Sequence, residues 1–157
     1  MSSEQRIIQG LINSWLPLAL EYAAGAPDVT KLFVYAGSEP GQQCANSFYE
    51  QGGVILYPSK LKGAGGGPRA ILDMQRHMID DLNAAEKQFV ESSIPCPTEY
   101  RIEYDLKGSK LDVQLSRELK YSDPPDKSLI DGPEDWLDGR LDKHFGRLVP
   151  GDREWRE

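Results

Sequence analysis

From Pro68 to about Glu91 the chain carries its strongest periodic signal: Ile71, Met74, Met78, Leu82, Ala85 and Phe89 recur every three or four residues. That spacing predicts a long α-helix with one apolar stripe, and a one-sided helix must lay that stripe on another element. Pro68 suits the first turn, where its missing N–H costs nothing. Pro95 and Pro97 in "SSIPCP" end the helix, because neither can extend it.

The surface for this helix to cover is readable directly downstream. Within Thr98–Tyr121, Tyr100, Ile102, Tyr104 and Leu106 alternate with Arg101, Glu103 and Asp105; Leu111, Val113 and Leu115 then alternate with Asp112, Gln114 and Ser116. Period-two alternation around the permissive Gly108 predicts a β-hairpin with one dry and one wet face. Upstream, "KLFVYAG" (Lys31–Gly37) reads as a buried strand, "SEPGQQ" as a turn and "CANSFYEQ" as an antiparallel return. "GGVILYP" adds a further strand after the Gly52-Gly53 turn. Ser3 is expected to cap a leading helix from Glu4 that buries Ile7, Ile8, Leu11, Ile12 and Trp15, with Pro17 a kink or the start of a new turn. A short amphipathic helix from about Pro133 carries Trp136, Leu137 and Leu141, and residues 143–157 are expected as a loose C-terminal tail. The expected class is α+β, one domain over 1–157: an antiparallel meander and hairpin sheet packed by a long central helix, with flanking N- and C-terminal helices.

The charge balance narrows the partners. Twenty-five acids against 18 bases give a net charge of −7, the wrong sign for neutralising phosphates, so no nucleic-acid partner is expected. No apolar run reaches the roughly 20 residues that span a bilayer, so no membrane partner is expected. "MSSEQRIIQG" lacks the basic, apolar and small-residue parts of a signal peptide, and two cysteines do not make a disulfide framework. The expectation is a reduced, cytoplasmic protein; oligomeric state is not encoded in any of these features.

Four features invite a chemical reading. The Gly-rich "KLKGAGGGPRA" brings flexible backbone N–H groups near Lys60, Lys62 and Arg69. It ends in Gly67-Pro68-Arg69, where a phosphate loop needs Gly-Lys-Ser/Thr, and Pro68 replaces the third glycine of a dinucleotide fingerprint. A flexible strand-to-helix connection is the plainer expectation. His77 and His144 have no ligand-spaced neighbour, so no metal is assigned. Cys96, between two prolines, and Cys44, on a strand, lack the adjacent base that would make a thiolate nucleophile. Carboxylate pairs such as Asp80-Asp81 are ordinary on solvated faces. No catalytic residue and no cofactor are assigned, and an enzyme is not expected.

What remains is acidity arranged in two patches. Glu103, Asp105 and Asp112 share the wet face of the hairpin. Between Ser122 and Asp142 there are seven acids against two bases, with Asp123, Asp126, Asp131, Glu134, Asp135 and Asp138 in a proline-held segment around Trp136. Trp136 is either an aromatic interface anchor or the core anchor of its short helix. The order of elements, with the long helix followed by a hairpin turning at Gly108-Ser109-Lys110 and Tyr-rich strands, resembles the YezG-type immunity proteins of bacterial polymorphic toxin systems over roughly Ile7 to Leu141. That resemblance implies a cognate toxin as partner, bound and occluded directly, and supplies no catalytic motif. Both acidic patches would then complement a basic toxin such as a nuclease. Two other classes stay open: a small-ligand binder or enzyme using the Gly-rich loop 63–67 beside His77, and a structural or adaptor domain.

Overall fold

The computed structural model describes residues 2–122 and 128–137. Among them the elements run α1 (Ser3–Tyr22), β1 (Val29–Glu39), β2 (Gln42–Gln51), β3 (Val54–Leu56), α2 (Gly67–Glu91), β4 (Glu99–Asp105), β5 (Lys110–Ser116) and α3 (Gly132–Leu137). The strands form one antiparallel sheet in the order β3-β2-β1-β4-β5. The expected α+β class holds, with the long helix on the sheet and helices flanking it on either side in sequence. Leu141, His144 and the expected tail lie outside the described residues.

Local chemistry sets most boundaries. Ser2, not Ser3, caps α1: its side chain accepts from the Gln5 N–H while the Gln5 side chain accepts from the Ser2 N–H, a reciprocal box that satisfies two otherwise orphaned donors. Pro17 lies inside α1 and does not end it. The stripe expected on α2 buries Met74, Met78, Leu82, Ala85 and Phe89, while Ile71, in its first turns, is only partly buried. The connection before α2 is more structured than its glycines suggest. Pro58–Lys60 form a helical turn, Leu61 is buried, and the Gln51 side chain bonds the Lys62 backbone through both its amide oxygen and nitrogen.

One face of the sheet presents Leu32, Val34, Ala36, Tyr49, Tyr100 and Ile102 to α1 and α2, where Trp15, Met78 and Phe89 complete the main core. Tyr104 and Val113, nearer the hairpin's outer end, are only half-buried. The opposite face carries a second core of Phe33, Tyr35, Phe48, Ile55 and Leu137, joined by Cys44, Tyr57 and Trp136. β1 is therefore buried on both sides.

Two glycines let the C-terminal segment sit flat on β1. A Cβ on Gly37 would come within 2.7 Å of a Leu129 methyl, and a Cβ on Gly132 would collide with the Tyr35 hydroxyl. Ser128 and Asp131 form a second capping box around the helical turn Leu129–Asp131, so the segment leaves few polar groups unmet where it lands.

Candidate functional site

The residues read as a wet face divide into two environments. Glu99, Arg101, Glu103 and Asp105 all project from the face of β4 opposite α2, yet Glu99 is only 3% exposed. Its carboxylate accepts from the Tyr35 hydroxyl at 2.6 Å and from Lys120 Nζ at 2.9 Å, and it pairs with Arg101 at 3.2 Å. Burial, then the hydrogen bond to Glu99, raise the Tyr35 pKa far above that of a free phenol, so the hydroxyl stays a donor. Glu39, also buried, accepts from the backbone N–H groups of Lys120 and Tyr121 and from the Ser122 hydroxyl. Two inward carboxylates thus fasten the chain leaving β5. Burial likewise pushes the Cys44 thiol up to about 11, and its Sγ lies 3.7 Å from the Leu129 carbonyl, so it behaves as a small packed residue.

Beyond Arg101 the same face is more exposed among the described residues: Glu103 and Asp105 are partly exposed and Asp112 is exposed. Glu103 and Asp112 stand directly opposite each other across the hairpin, bringing two like charges onto one side. Lys31 Nζ, 3.4 Å from Glu103, offsets part of that charge from β1. Asp105 closes the turn by accepting from the Lys107 and Gly108 N–H groups. The Gly108 bond foremost, then Lys107, Lys31 and Lys110, hold its carboxyl below the usual carboxylate range. The patch expected from sequence on the hairpin is therefore assembled, and Asp105 stays ionised within it.

The second patch is placed differently from a free acidic ribbon. Asp131 accepts from the Ser128 N–H, Glu134 from the Tyr57 hydroxyl at 3.1 Å, and Asp135 from the Tyr121 hydroxyl at 3.0 Å. Trp136 packs edge-on against Phe33 with ring centroids 5.7 Å apart and lies over Tyr35 at 6.3 Å. Of the two roles open to Trp136, core anchoring is the one these contacts describe, and the residue is only partly buried. Asp123, Asp126 and Asp138 lie outside the described residues. The two patches are nevertheless neighbours: Glu103 pairs across strands with Phe33, and Phe33 touches Trp136. What sequence reasoning missed here is Tyr57, Tyr121 and Glu99, which position the segment.

Among the described residues no group of three or more His, Cys, Asp and Glu side chains is arranged to hold a metal, and no helix is long and apolar enough to cross a membrane. Comparison of the chain with protein-family models and with curated proteins found no match.

Proposed function

We propose that this chain is an immunity protein that binds and occludes a cognate, basic toxin domain such as a nuclease, acting by contact and not by turnover. The observation that carries the reading is the open end of the sheet face. Among the described residues Glu103 and Asp105 are partly exposed and Asp112 is exposed, next to a segment in which Asp131, Glu134 and Asp135 sit on α3 and the turn before it. The resemblance of the chain to YezG-type immunity proteins supports the same reading. So does the platform: β4 is hydrogen-bonded on both sides, so its backbone needs no ordering on association, which reduces the entropy lost. Complementary charge accelerates encounter and makes it salt-sensitive.

The test is co-purification with the product of the adjacent gene, followed by kinetics of the complex. Glu103→Lys with Asp112→Lys is expected to slow association by about tenfold at low salt and to flatten its salt dependence. Charge reversal at Asp131 and Glu134 is expected to do so less, because those carboxylates are held by the Ser128 N–H and the Tyr57 hydroxyl and are turned toward the protein. A rate and a salt slope unchanged by all four reversals would remove this face from the interface.

A further inference from the structure

The sheet ends on two different edges. Among the described residues β3 closes one side with only three residues, Val54–Leu56, while β5 closes the other with seven, Lys110–Ser116. Soluble proteins blunt a long edge with a proline, a bulge or an inward charge. β5 has no proline, its register with β4 runs unbroken, and its helix-side residues are Leu111, Val113 and Leu115. We propose that this edge is the seam of a two-fold homodimer, in which β5 pairs antiparallel with β5 of a second copy to make one continuous sheet.

The hydrogen-bonding groups at the edge can be assigned. The Leu106 N–H bonds the Thr30 carbonyl and the Ser38 N–H bonds the Thr98 carbonyl, so the even-numbered residues of β4 face β1 and the odd-numbered ones face β5. Their partners in the hairpin are Lys110, Asp112, Gln114 and Ser116. The N–H and C=O groups of Leu111, Val113 and Leu115 therefore point outward, away from β4. Leu111 is also 43% exposed, and Val113 and Leu115 are covered only in part.

The order of residues along the edge selects a second copy as the occupant, because a two-fold pair must match itself. Centred on Val113, the register sets Val113 against Val113 of the partner and Leu111 against Leu115 of the partner. Every outward N–H and C=O of these three residues then gains a bond, and the leucines are covered on the helix side. On the other face Asp112 meets Gln114, whose amide already donates to Asp112 within one copy at 3.1 Å, and Lys110 meets Ser116. The seam is neutral. Each copy brings one Lys110 and one Asp112; Lys107 lies in the turn, and Arg117, just beyond the strand, is held by Glu4 and the Pro95 carbonyl. Centring on Asp112 would oppose two acids, and centring on Gln114 would set Leu111 against Arg117. With the axis normal to the sheet, the hairpin acids of both copies face the same way, whether or not a toxin is what they meet.

Seven paired residues make a small interface, so a dissociation constant on the order of 10–100 µM is expected. Sedimentation equilibrium of the full chain from about 5 µM to about 1 mM measures it. At the high end the amides of Leu111, Val113 and Leu115 should gain protection from hydrogen exchange, while those of Asp112 and Gln114, already bonded to β4, stay as they are. Gln114→Glu opposes Asp112 of the partner at two places in the dimer and is expected to weaken it by about fivefold or more at low salt. Adding Asp112→Lys turns the repulsion into an ion pair and should restore at least the parent affinity. A monomer at about 1 mM, a dimer in which the three outward amides gain no protection, or a dimer indifferent to these two substitutions would each overturn the assignment.

Discussion

The two faces of the sheet are both covered, but by different physics. On one, α1 and α2 lay continuous apolar stripes over Leu32, Val34, Tyr100 and Ile102, and cohesion comes from area removed from water. On the other, among the described residues, a short C-terminal segment covers Phe33, Tyr35, Phe48 and Ile55, and much of its attachment is polar: the carboxylates of Glu39 and Glu99, the hydroxyls of Tyr35, Tyr57 and Tyr121, and the close seats at Gly37 and Gly132. A hydrophobic stripe tolerates small slips along its length. A set of aimed hydrogen bonds does not, so the second cover fits in one position. The comparison teaches that the helical face supplies most of the stability, while the other face fixes where the acidic segment stands beside the hairpin.

Breaking the helical face should have the largest effect. Leu82 is fully buried under the sheet, so Leu82→Asp places an unpaired charge in the main core, at a cost of about 4 kcal/mol or more. The expected outcome is loss of the folded protein, read by circular dichroism and recovery in the soluble fraction; a cooperative melt near that of the parent would contradict the packing described for α2. Breaking the second face should cost less. Leu137→Ala, also at a fully buried site, is expected to remove about 2–3 kcal/mol in denaturant unfolding, with the main core intact. A loss as large as that of a central α2 residue would erase the distinction between the faces.

The polar attachment itself is tested by Glu99→Gln. The amide can still accept from Tyr35, but it faces Arg101 and Lys120 without compensating charge. Because those two side chains are 21% and 33% exposed, water screens part of the loss. A destabilisation of about 1–2 kcal/mol is expected, and it should grow little when Leu137→Ala is added if both act through the same segment. The smallest effect belongs to the open end: Glu103→Gln with Asp112→Asn should alter stability by no more than about 0.5 kcal/mol. A larger change would mean that these carboxylates serve the fold and not a partner.

Much of the helical face was legible before any coordinates. The α2 stripe, the alternation in Tyr100–Leu106 and the β-forming run in β1 are local patterns with a local cause, side-chain periodicity. The second face was legible only in hindsight. Leu32 through Gly37 is an unbroken buried run, and a strand without alternation is one covered on both sides. Nothing in the run names the cover, because Leu129, Gly132 and Leu137 arrive from about a hundred residues away. The hairpin acids were placed correctly on one side for the same local reason that placed the stripe. Glu99, by contrast, repeats the spacing of Glu103, and only the long-range arrival of Tyr35 and Lys120 makes it a buried anchor.

The place of β1 in the strand order also sets a schedule for the nascent chain. β1 hydrogen-bonds with β2, made immediately after it, and with β4, made after the whole of α2. From Glu39, the last residue of β1, to Leu137 the ribosome adds 98 residues, which takes roughly 5–20 s at typical elongation rates of about 5–20 residues per second. Throughout that interval Phe33 and Tyr35 have no cover, and for most of it one edge of β1 has no partner. An unpaired apolar edge is the surface on which chains aggregate. Slow translation or a ribosome stall between β3 and β4 should therefore lower the yield of native protein more than a stall after β5, when only the polar-fastened segment remains to dock.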